Sequence, residues 1–211
     1  MNKIFSAFGK KNTSKNTSNK PVIIISGLPR SGTSMMMKML VEGGLQVVTD
    51  EIRRADDDNP NGYFELETVK QLPEGNISWL QDANGKVTKV ISSLLEYLPS
   101  EYSYKVIFME REIREVLDSQ QKMLTNRNEA AKVDDAEMER QFQNHLAVVK
   151  AWLVRQTNME VLYVNFNTLM ADPEPFCHRI ADFIGLPLDV KRMLSVPSEG
   201  LYRNRVVVER K

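Results

Sequence analysis

Short apolar segments recur along the chain, and segments with helical periodicity separate them. Five of the apolar segments have the length of strands, and they cover residues 22–25, 45–48, 86–91, 104–109 and 161–164. The first contains no polar residue, which is typical of a central strand that helices cover on both faces. Strands that alternate with helices predict a three-layer α/β sandwich around a mostly parallel sheet, with right-handed crossovers.

Apolar residues three and four positions apart mark the helices between these strands. Residues 33–42 predict a helix that two glycines close. Further helices are predicted around Trp79, over residues 94–99, from residue 113 to 124, from Asp134 or Asp135 to Leu153, and from residue 173 to 184. The last of them has Asp172 as its N-cap, Pro173 at its first position and Gly185 as its stop.

The first twenty residues differ in composition from the rest of the chain. They contain five lysines, no acidic residue and only three large apolar side chains, Ile4, Phe5 and Phe8. So little apolar area does not offset the entropy lost on ordering, and we predict that residues 1–20 form a disordered basic tail. Residues 21–211 then form a single domain, whose size supports one hydrophobic core.

Composition also limits the partners. All 28 acidic side chains lie beyond the tail together with fewer basic ones, so a surface that binds nucleic acid is not expected. The tail could make a weak contact with a membrane surface, whereas no apolar segment is long enough to cross a bilayer. Cys177 is the only cysteine, and the two histidines lack the partners of a zinc site. These features predict a protein of the reducing cytoplasm.

The strongest chemical signal follows the first predicted strand. Gly27 and Gly32 bracket a loop whose backbone can curl so that several N–H groups converge on one anion. The helix that follows adds the unpaired N–H groups of its first turn and the positive end of its dipole. We therefore predict an anion-binding loop, although a plain strand-to-helix turn would have the same glycine spacing.

The cation of this loop differs from that of nucleotide hydrolases. The glycine spacing is that of a phosphate-binding loop, but Thr33 takes the position of its lysine, and the cation is Arg30 within the loop. Because that lysine neutralises the β- and γ-phosphates, its absence argues against a standard ATPase or kinase. A kinase or nucleotide hydrolase with a variant loop remains an alternative, with Thr33 or Ser34 as magnesium ligand and Glu110 as its acid.

The segment Pro29-Arg30-Ser31-Gly32-Thr33-Ser34 resembles the 5′-phosphosulfate loop of sulfotransferases. These enzymes take a sulfuryl group from 3′-phosphoadenosine 5′-phosphosulfate (PAPS). The resemblance implies that the 5′-phosphosulfate is bound by Arg30, Ser31, Gly32, Thr33 and Ser34. It also implies the strand arrangement of P-loop nucleoside triphosphate hydrolases, and in such a sheet we expect the ligand at the carboxyl edge of the strands. Sulfuryl transfer leaves negative charge on the departing oxygen, and Arg30 is the candidate cation that stabilises it.

A second candidate phosphate site follows the strand at residues 104–109. Arg111 comes after the end of this strand and Ser119 lies two turns along the next helix, so the two side chains could together bind a phosphate. Joined to the loop, the pair resembles the sulfotransferase segment that holds the 3′-phosphate. Arg203 and Arg205 occupy the place of the basic segment with which many sulfotransferases close over that phosphate. A plain solvated tail is the alternative for these two arginines.

Glu65 is the candidate catalytic base, and its position in the sequence has two interpretations. The stretch Asn59-Pro60-Asn61-Gly62-Tyr63-Phe64-Glu65 resembles a motif of bacterial sulfotransferase-like proteins, and its turn could aim Glu65 across the mouth of the loop. Alternatively, Glu65 lies in the first turn of a helix that follows. The histidine base of the cytosolic sulfotransferases, expected near residues 86–91, is absent. Lys89 in that segment is interpreted as an exposed lysine rather than a group at the leaving phosphate, and His145 as structural.

These motifs together resemble the bacterial sulfotransferase-like family of PAPS-dependent P-loop sulfotransferases. The resemblance implies transfer of a sulfuryl group from PAPS to a hydroxyl or amine of an unidentified acceptor, which is a small molecule, a glycan or a lipid. The product of the donor would be adenosine 3′,5′-bisphosphate, and no metal is expected. A non-catalytic nucleotide-binding protein, with the same cofactor site and no base, is the remaining alternative.

Overall fold

A computed structural model describes residues 20–50, 52, 62–126 and 134–197 of the chain. These ranges contain all five segments predicted as strands. Three predicted features lie outside the described residues: the basic tail apart from Lys20, the turn at residues 59–62 apart from Gly62, and the pair Arg203 and Arg205. The expectations for these segments therefore stay predictions.

Within the described residues, four parallel strands form a sheet in the order β2-β1-β3-β4. They are β1 (Val22–Gly27), β2 (Val87–Lys89), β3 (Tyr104–Glu110) and β4 (Met159–Asn165). β1 lies inside the sheet and is buried at all six positions, as its apolar sequence predicts. Because all three strand pairs are parallel, the loops that follow the strands meet at one edge of the sheet. The predicted parallel sheet is confirmed.

Residues 45–48, predicted as a strand, form a single bridge instead. Val47 pairs with Val87 in parallel orientation, and the Val87 N–H donates to the Gln46 carbonyl at 2.8 Å. The pairing stays short because β2 itself has only three residues and a 3₁₀ helix begins at Ser92. The strand predicted over residues 86–91 is likewise shorter than expected, because β2 covers only Val87–Lys89.

Helices cover both faces of the sheet. The α-helices are α1 (Thr33–Glu42), α2 (Ile113–Asn126), α3 (Asp135–Leu153), α4 (Phe166–Ala171), α5 (Pro173–Ile184) and α6 (Val190–Leu194). The described part of the chain also contains three 3₁₀ helices, which span Glu67–Glu74, Ser78–Asp82 and Ser92–Tyr97. Across the described part of the chain, no helix has the length and apolarity needed to span a membrane.

The two faces of β1 belong to two different hydrophobic clusters. Ile23 and Ile25 pack with α1, α4, α5 and α6 on one face. Val22 and Ile24 pack with the three 3₁₀ helices and α3 on the other. Since successive side chains of a strand point to opposite faces, a continuous apolar strand holds both layers on the sheet. This is the predicted three-layer α/β sandwich.

The capping residues of the sequence set most helix boundaries. Asp134 caps α3 by accepting the N–H two residues further on at 3.2 Å, and Gly185 ends α5 with a φ of 71°. Asp172 precedes α5 as predicted, but its side chain makes no cap bond, since its backbone also terminates α4. Asn165 caps α4 by accepting the Thr168 N–H at 2.9 Å. The structure confirms Asp172 as the N-cap residue of α5, with Pro173 at the first position of the helix.

Cys177 lies in α5 with none of its surface exposed. It belongs to the cluster that packs α5 on the sheet. Burial raises the pKa of its thiol to about 11, so the side chain is a neutral thiol near pH 7. The interpretation of Cys177 as a small apolar core residue agrees with this environment.

Candidate active site

The loop between β1 and α1 is held in a conformation that its two glycines allow. Gly27 has a φ of 142° and Gly32 a φ of 97°, values that side chains with a Cβ rarely adopt. A Cβ on Gly27 would lie 2.6 Å from the Met109 carbonyl oxygen. Ser31 closes the turn by donating both its N–H, at 3.2 Å, and its hydroxyl, at 2.7 Å, to the Leu28 carbonyl. The loop therefore lies against the end of β3.

The packing of Phe166 against the loop also requires glycine at position 32, and a substitution there tests this packing. A Cβ at Gly32 would lie 2.4 Å from the ring of Phe166. We expect Gly32→Ala to lose roughly 1–3 kcal/mol of unfolding free energy, because it adds a clash to an unfavourable φ. Gly44→Ala is the matched control, since Gly44 has a φ of 96° and nothing within 4 Å of the added Cβ. Thermal unfolding of both variants measures the difference, and equal melting temperatures would contradict the packing described here.

Arg30 joins the loop to the segment that follows β3. It adopts a left-handed φ of 72°, which is uncommon for a residue with a side chain. Its carbonyl accepts a hydrogen bond from Arg111 Nη1 at 3.1 Å, and its Nε donates to the Ser119 hydroxyl at 2.8 Å. The hydroxyl of Ser119, which the sequence predicts to act with Arg111, is thus joined to Arg30, and Arg30 is in turn joined to Arg111.

The guanidinium of Arg111 lies between a carboxylate and an aromatic ring. Its Nε donates to Glu115 Oε2 at 2.9 Å, and its Cζ lies 4.4 Å from the centre of the Phe166 ring. The side chains of Arg111 and Glu115 are 7% and 2% exposed. Arg111 is thus held by α2, by α4 and by the loop at the same time.

Lys89 approaches the loop from β2, the strand next to β1. Its ammonium lies 3.5 Å from the hydroxyl of Ser34 in the first turn of α1 and 3.9 Å from Glu65 Oε1. It also donates to the Tyr63 carbonyl. Only 9% of the Lys89 side chain is exposed, so the interpretation of Lys89 as an exposed lysine was wrong. The structure brings this second cation to the start of α1.

Glu65 is fixed by its own backbone rather than by a helix. The helix that follows begins at Glu67, so Glu65 lies outside the first turn in which the alternative interpretation placed it. Its carbonyl accepts the Thr49 hydroxyl at 2.8 Å and the Asp50 N–H at 3.3 Å. The preceding Phe64 has a left-handed φ of 49°. These constraints direct the Glu65 carboxylate toward Lys89, where it is 23% exposed.

A cavity of about 230 Å³ adjoins the loop on the side of β3. It is lined by the loop residues Leu28 and Ser31, by Arg111 and its neighbours, and by Lys150 of α3. Glu110, the acid that a kinase would require, forms an ion pair with Lys150. Within the ranges described, no three His, Cys, Asp or Glu side chains group as a metal site.

His145, interpreted as structural, lies on α3 and makes a hydrogen bond with a 3₁₀ helix. Its Nε2 is 2.8 Å from the Ser92 hydroxyl. Ser92 is 4% exposed and begins the 3₁₀ helix after β2. The contact links α3 to that helix, in agreement with the interpretation from the sequence.

The fold and the loop define a class, and comparison with known proteins gives the family. A parallel sheet in this order, with a glycine-bounded loop between its inner strand and a helix, is a P-loop type of fold. Residues 62–190 match the model of the Sulfotransferase family. The match covers more than half of the chain, and the chain belongs to this family. It includes Glu65, Lys89, Arg111 and Ser119 and begins after the loop.

Solved sulfotransferase structures share the fold. The sulfotransferase domain from the curacin biosynthetic pathway matches with a TM-score of 0.50 and 13% identity, over 85% of this chain and 78% of that one. The corresponding domain of the Synechococcus PCC 7002 olefin synthase gives 0.50 and 14%, over 90% and 86%. Mouse sulfotransferase SULT7A1, complexed with PAP, gives 0.52 and 14%, over 90% and 68%. A comparison with curated protein sequences finds no match.

Sequence reasoning missed Glu115 and misjudged the burial of Lys89. Glu115 follows Arg111 by four positions, and on a helix such an acid and base are neighbours, so this signal was readable. The sequence signal for the position of Lys89 is weaker, because this residue lies inside the predicted strand at residues 86–91, whereas β2 ends at Lys89. Its contacts with Tyr63 and Ser34 span 26 and 55 positions and depend on which strand lies beside β1.

Proposed function

We propose that the protein transfers a sulfuryl group from PAPS to a hydroxyl or amine of a small molecule, a glycan or a lipid. The products are the sulfated acceptor and adenosine 3′,5′-bisphosphate. The observation that carries the proposal is the pair of contacts of Arg30, which link the anion-binding loop to Arg111 and Ser119. A donor with phosphates at both its 5′ and 3′ positions needs two anion sites in such proximity.

The 5′-phosphosulfate is proposed to bind at the start of α1. The first-turn N–H groups of a helix have no intrahelical partners, and here they begin with Thr33 and Ser34. The helix dipole favours an anion there. Gly32 and Ser31 contribute by fixing the shape of the loop, Gly32 through its left-handed φ and Ser31 through its two hydrogen bonds to the Leu28 carbonyl. The leucine and methionine side chains of α1 face the core and need not move.

The 3′-phosphate is proposed to bind where Arg111 and Ser119 meet Arg30. A guanidinium donates to phosphate oxygens in a fixed planar geometry, and the Ser119 hydroxyl can turn from Arg30 to the phosphate. Arg203 and Arg205 stay in the proposal as groups that close over this phosphate. Membership of the Sulfotransferase family supports this assignment, since the 3′-phosphate distinguishes PAPS from other adenine nucleotides.

The transfer step needs a cation at the leaving oxygen and a base at the acceptor. As the acceptor oxygen or nitrogen bonds to sulfur, the bond from sulfur to the 5′-phosphate oxygen breaks and negative charge grows on that oxygen. Arg30 and Lys89 are the cations proposed to stabilise it. Glu65, whose carboxylate lies 3.9 Å from Lys89, is proposed to take the acceptor's proton.

Isothermal calorimetry on the full chain tests the class of activity. We expect adenosine 3′,5′-bisphosphate to bind in buffer without magnesium, and to bind more tightly than ATP with magnesium. Radiolabelled PAPS with a cell extract should then label an acceptor fraction. ATP affinity that rises with magnesium and exceeds that of the bisphosphate would overturn the proposal in favour of a kinase. Tight binding of the bisphosphate with no labelled acceptor would favour a non-catalytic protein.

A further inference from the structure

Glu115 is a buried carboxylate beside an anion site. It lies on α2 with 1% of its surface exposed, and it contacts the Arg111 guanidinium at 2.9 Å. A negative charge at this point repels any phosphate that Arg111 binds. Burial of a charged pair also costs desolvation energy that the pair's attraction barely repays. Glu115 therefore needs an explanation other than stability or attraction of the ligand.

The geometry of Arg111 supplies that explanation. Its backbone lies directly after β3, where the chain leaves the sheet and before α2 begins at Ile113. A long arginine side chain at such a point has many rotamers. Here three contacts from three different elements fix it: Glu115 at Nε, the Arg30 carbonyl at Nη1, and the face of the Phe166 ring.

We infer that Glu115 is a positioning residue that orients Arg111 for the 3′-phosphate of the donor. The inference rests on the proposed function, in which Arg111 binds that phosphate. By engaging Nε, the carboxylate sets the plane of the guanidinium and directs its Nη side away from α2, toward the loop that carries Arg30. The phosphate then binds to a guanidinium that is already oriented, so binding does not cost the entropy of ordering the Arg111 side chain.

The sign of a charge-removing substitution separates positioning from simple electrostatics. If Glu115 acted only through its charge, Glu115→Gln would remove a repulsion and strengthen phosphate binding. If it orients Arg111, the same change weakens binding. Asp118 gives a matched control because it lies three residues from Glu115 on the same helix, is exposed, and loses the same charge in Asp118→Asn.

Calorimetry of the full-length variants with adenosine 3′,5′-bisphosphate and with AMP tests this inference. We expect Glu115→Gln to bind the bisphosphate about tenfold more weakly, the size of effect of one charge-assisted contact. AMP lacks the 3′-phosphate, so its affinity should change less than about twofold. Asp118→Asn should leave both affinities at the wild-type level, and Glu115→Asp, which keeps the charge, should recover part of the loss.

Each outcome has a distinct meaning. If the wild-type protein prefers the bisphosphate and Glu115→Gln keeps that preference, the positioning role is wrong while the proposed function stands. If wild-type protein binds both ligands equally, the proposed function itself fails. Should Glu115→Gln fold poorly, as its circular dichroism and melting curve would show, the ratio of the two affinities for Glu115→Asp decides. A ratio equal to that of wild type overturns the inference.

Discussion

Glu65→Gln is expected to lower turnover at least about a hundredfold while it leaves the affinity for adenosine 3′,5′-bisphosphate nearly unchanged. The amide keeps the shape of the side chain but does not accept a proton from the acceptor. The backbone contacts from Thr49 and Asp50 that place residue 65 are made by its carbonyl, so they survive the substitution. Sulfuryl transfer from radiolabelled PAPS, together with calorimetry, measures the two quantities.

Glu67→Gln is the matched control for this prediction. Glu67 is exposed, and its carboxylate pairs with Lys70 at 2.7 Å. It should therefore keep wild-type turnover. If Glu65→Gln keeps wild-type turnover, Glu65 is not the base. The Asp50 carboxylate already accepts two backbone N–H groups, from Ile52 and Glu67, so a basic acceptor amine would then be the first alternative.

Lys89→Met is expected to reduce turnover by about a hundredfold to a thousandfold, the usual effect of removing one group that stabilises developing charge. Methionine has a similar length and suits a side chain that is only 9% exposed. The substitution removes the ammonium group that lies 3.5 Å from the Ser34 hydroxyl. We expect the affinity for the bisphosphate to fall much less than turnover, because the charge that Lys89 meets develops during transfer.

Two further variants make the Lys89 result interpretable. Lys86→Met makes the same change just before β2, at the other end of the strand, and should leave turnover unchanged. Lys89→Arg keeps the positive charge and should retain part of the activity. A fully active Lys89→Met enzyme would show that Arg30 alone serves the leaving oxygen.

The parts of the fold that depend on local pattern could be predicted from the sequence. The helix at residues 33–42 has the predicted bounds, since a loop with Gly32 precedes it and two glycines follow it. β1 and β3 were also expected, because a continuous apolar run has few alternatives inside a parallel sheet. The short strands were less predictable: whether residues 45–48 extend a sheet depends on how many residues β2 offers, which is a tertiary property.

The site could be predicted only at the level of segments. The two phosphate segments carry motifs, and the structure brings them together through Arg30. The contacts within them could not be predicted in full, because the sequence does not indicate that the Ser119 hydroxyl accepts a hydrogen bond from Arg30. An arginine in a left-handed conformation has no sequence signature, and it is this conformation, with a φ of 72°, from which the Arg30 side chain reaches α2.

The central claim is that two anion sites joined through Arg30 recognise a donor with a 3′-phosphate. The measurement that tests it most directly is calorimetry of the wild-type chain with adenosine 3′,5′-bisphosphate and with AMP. Loss of one charge-assisted contact costs on the order of 1.5 to 3 kcal/mol, so the bisphosphate should bind about ten- to a hundredfold more tightly. Equal affinities for the two ligands would contradict the account.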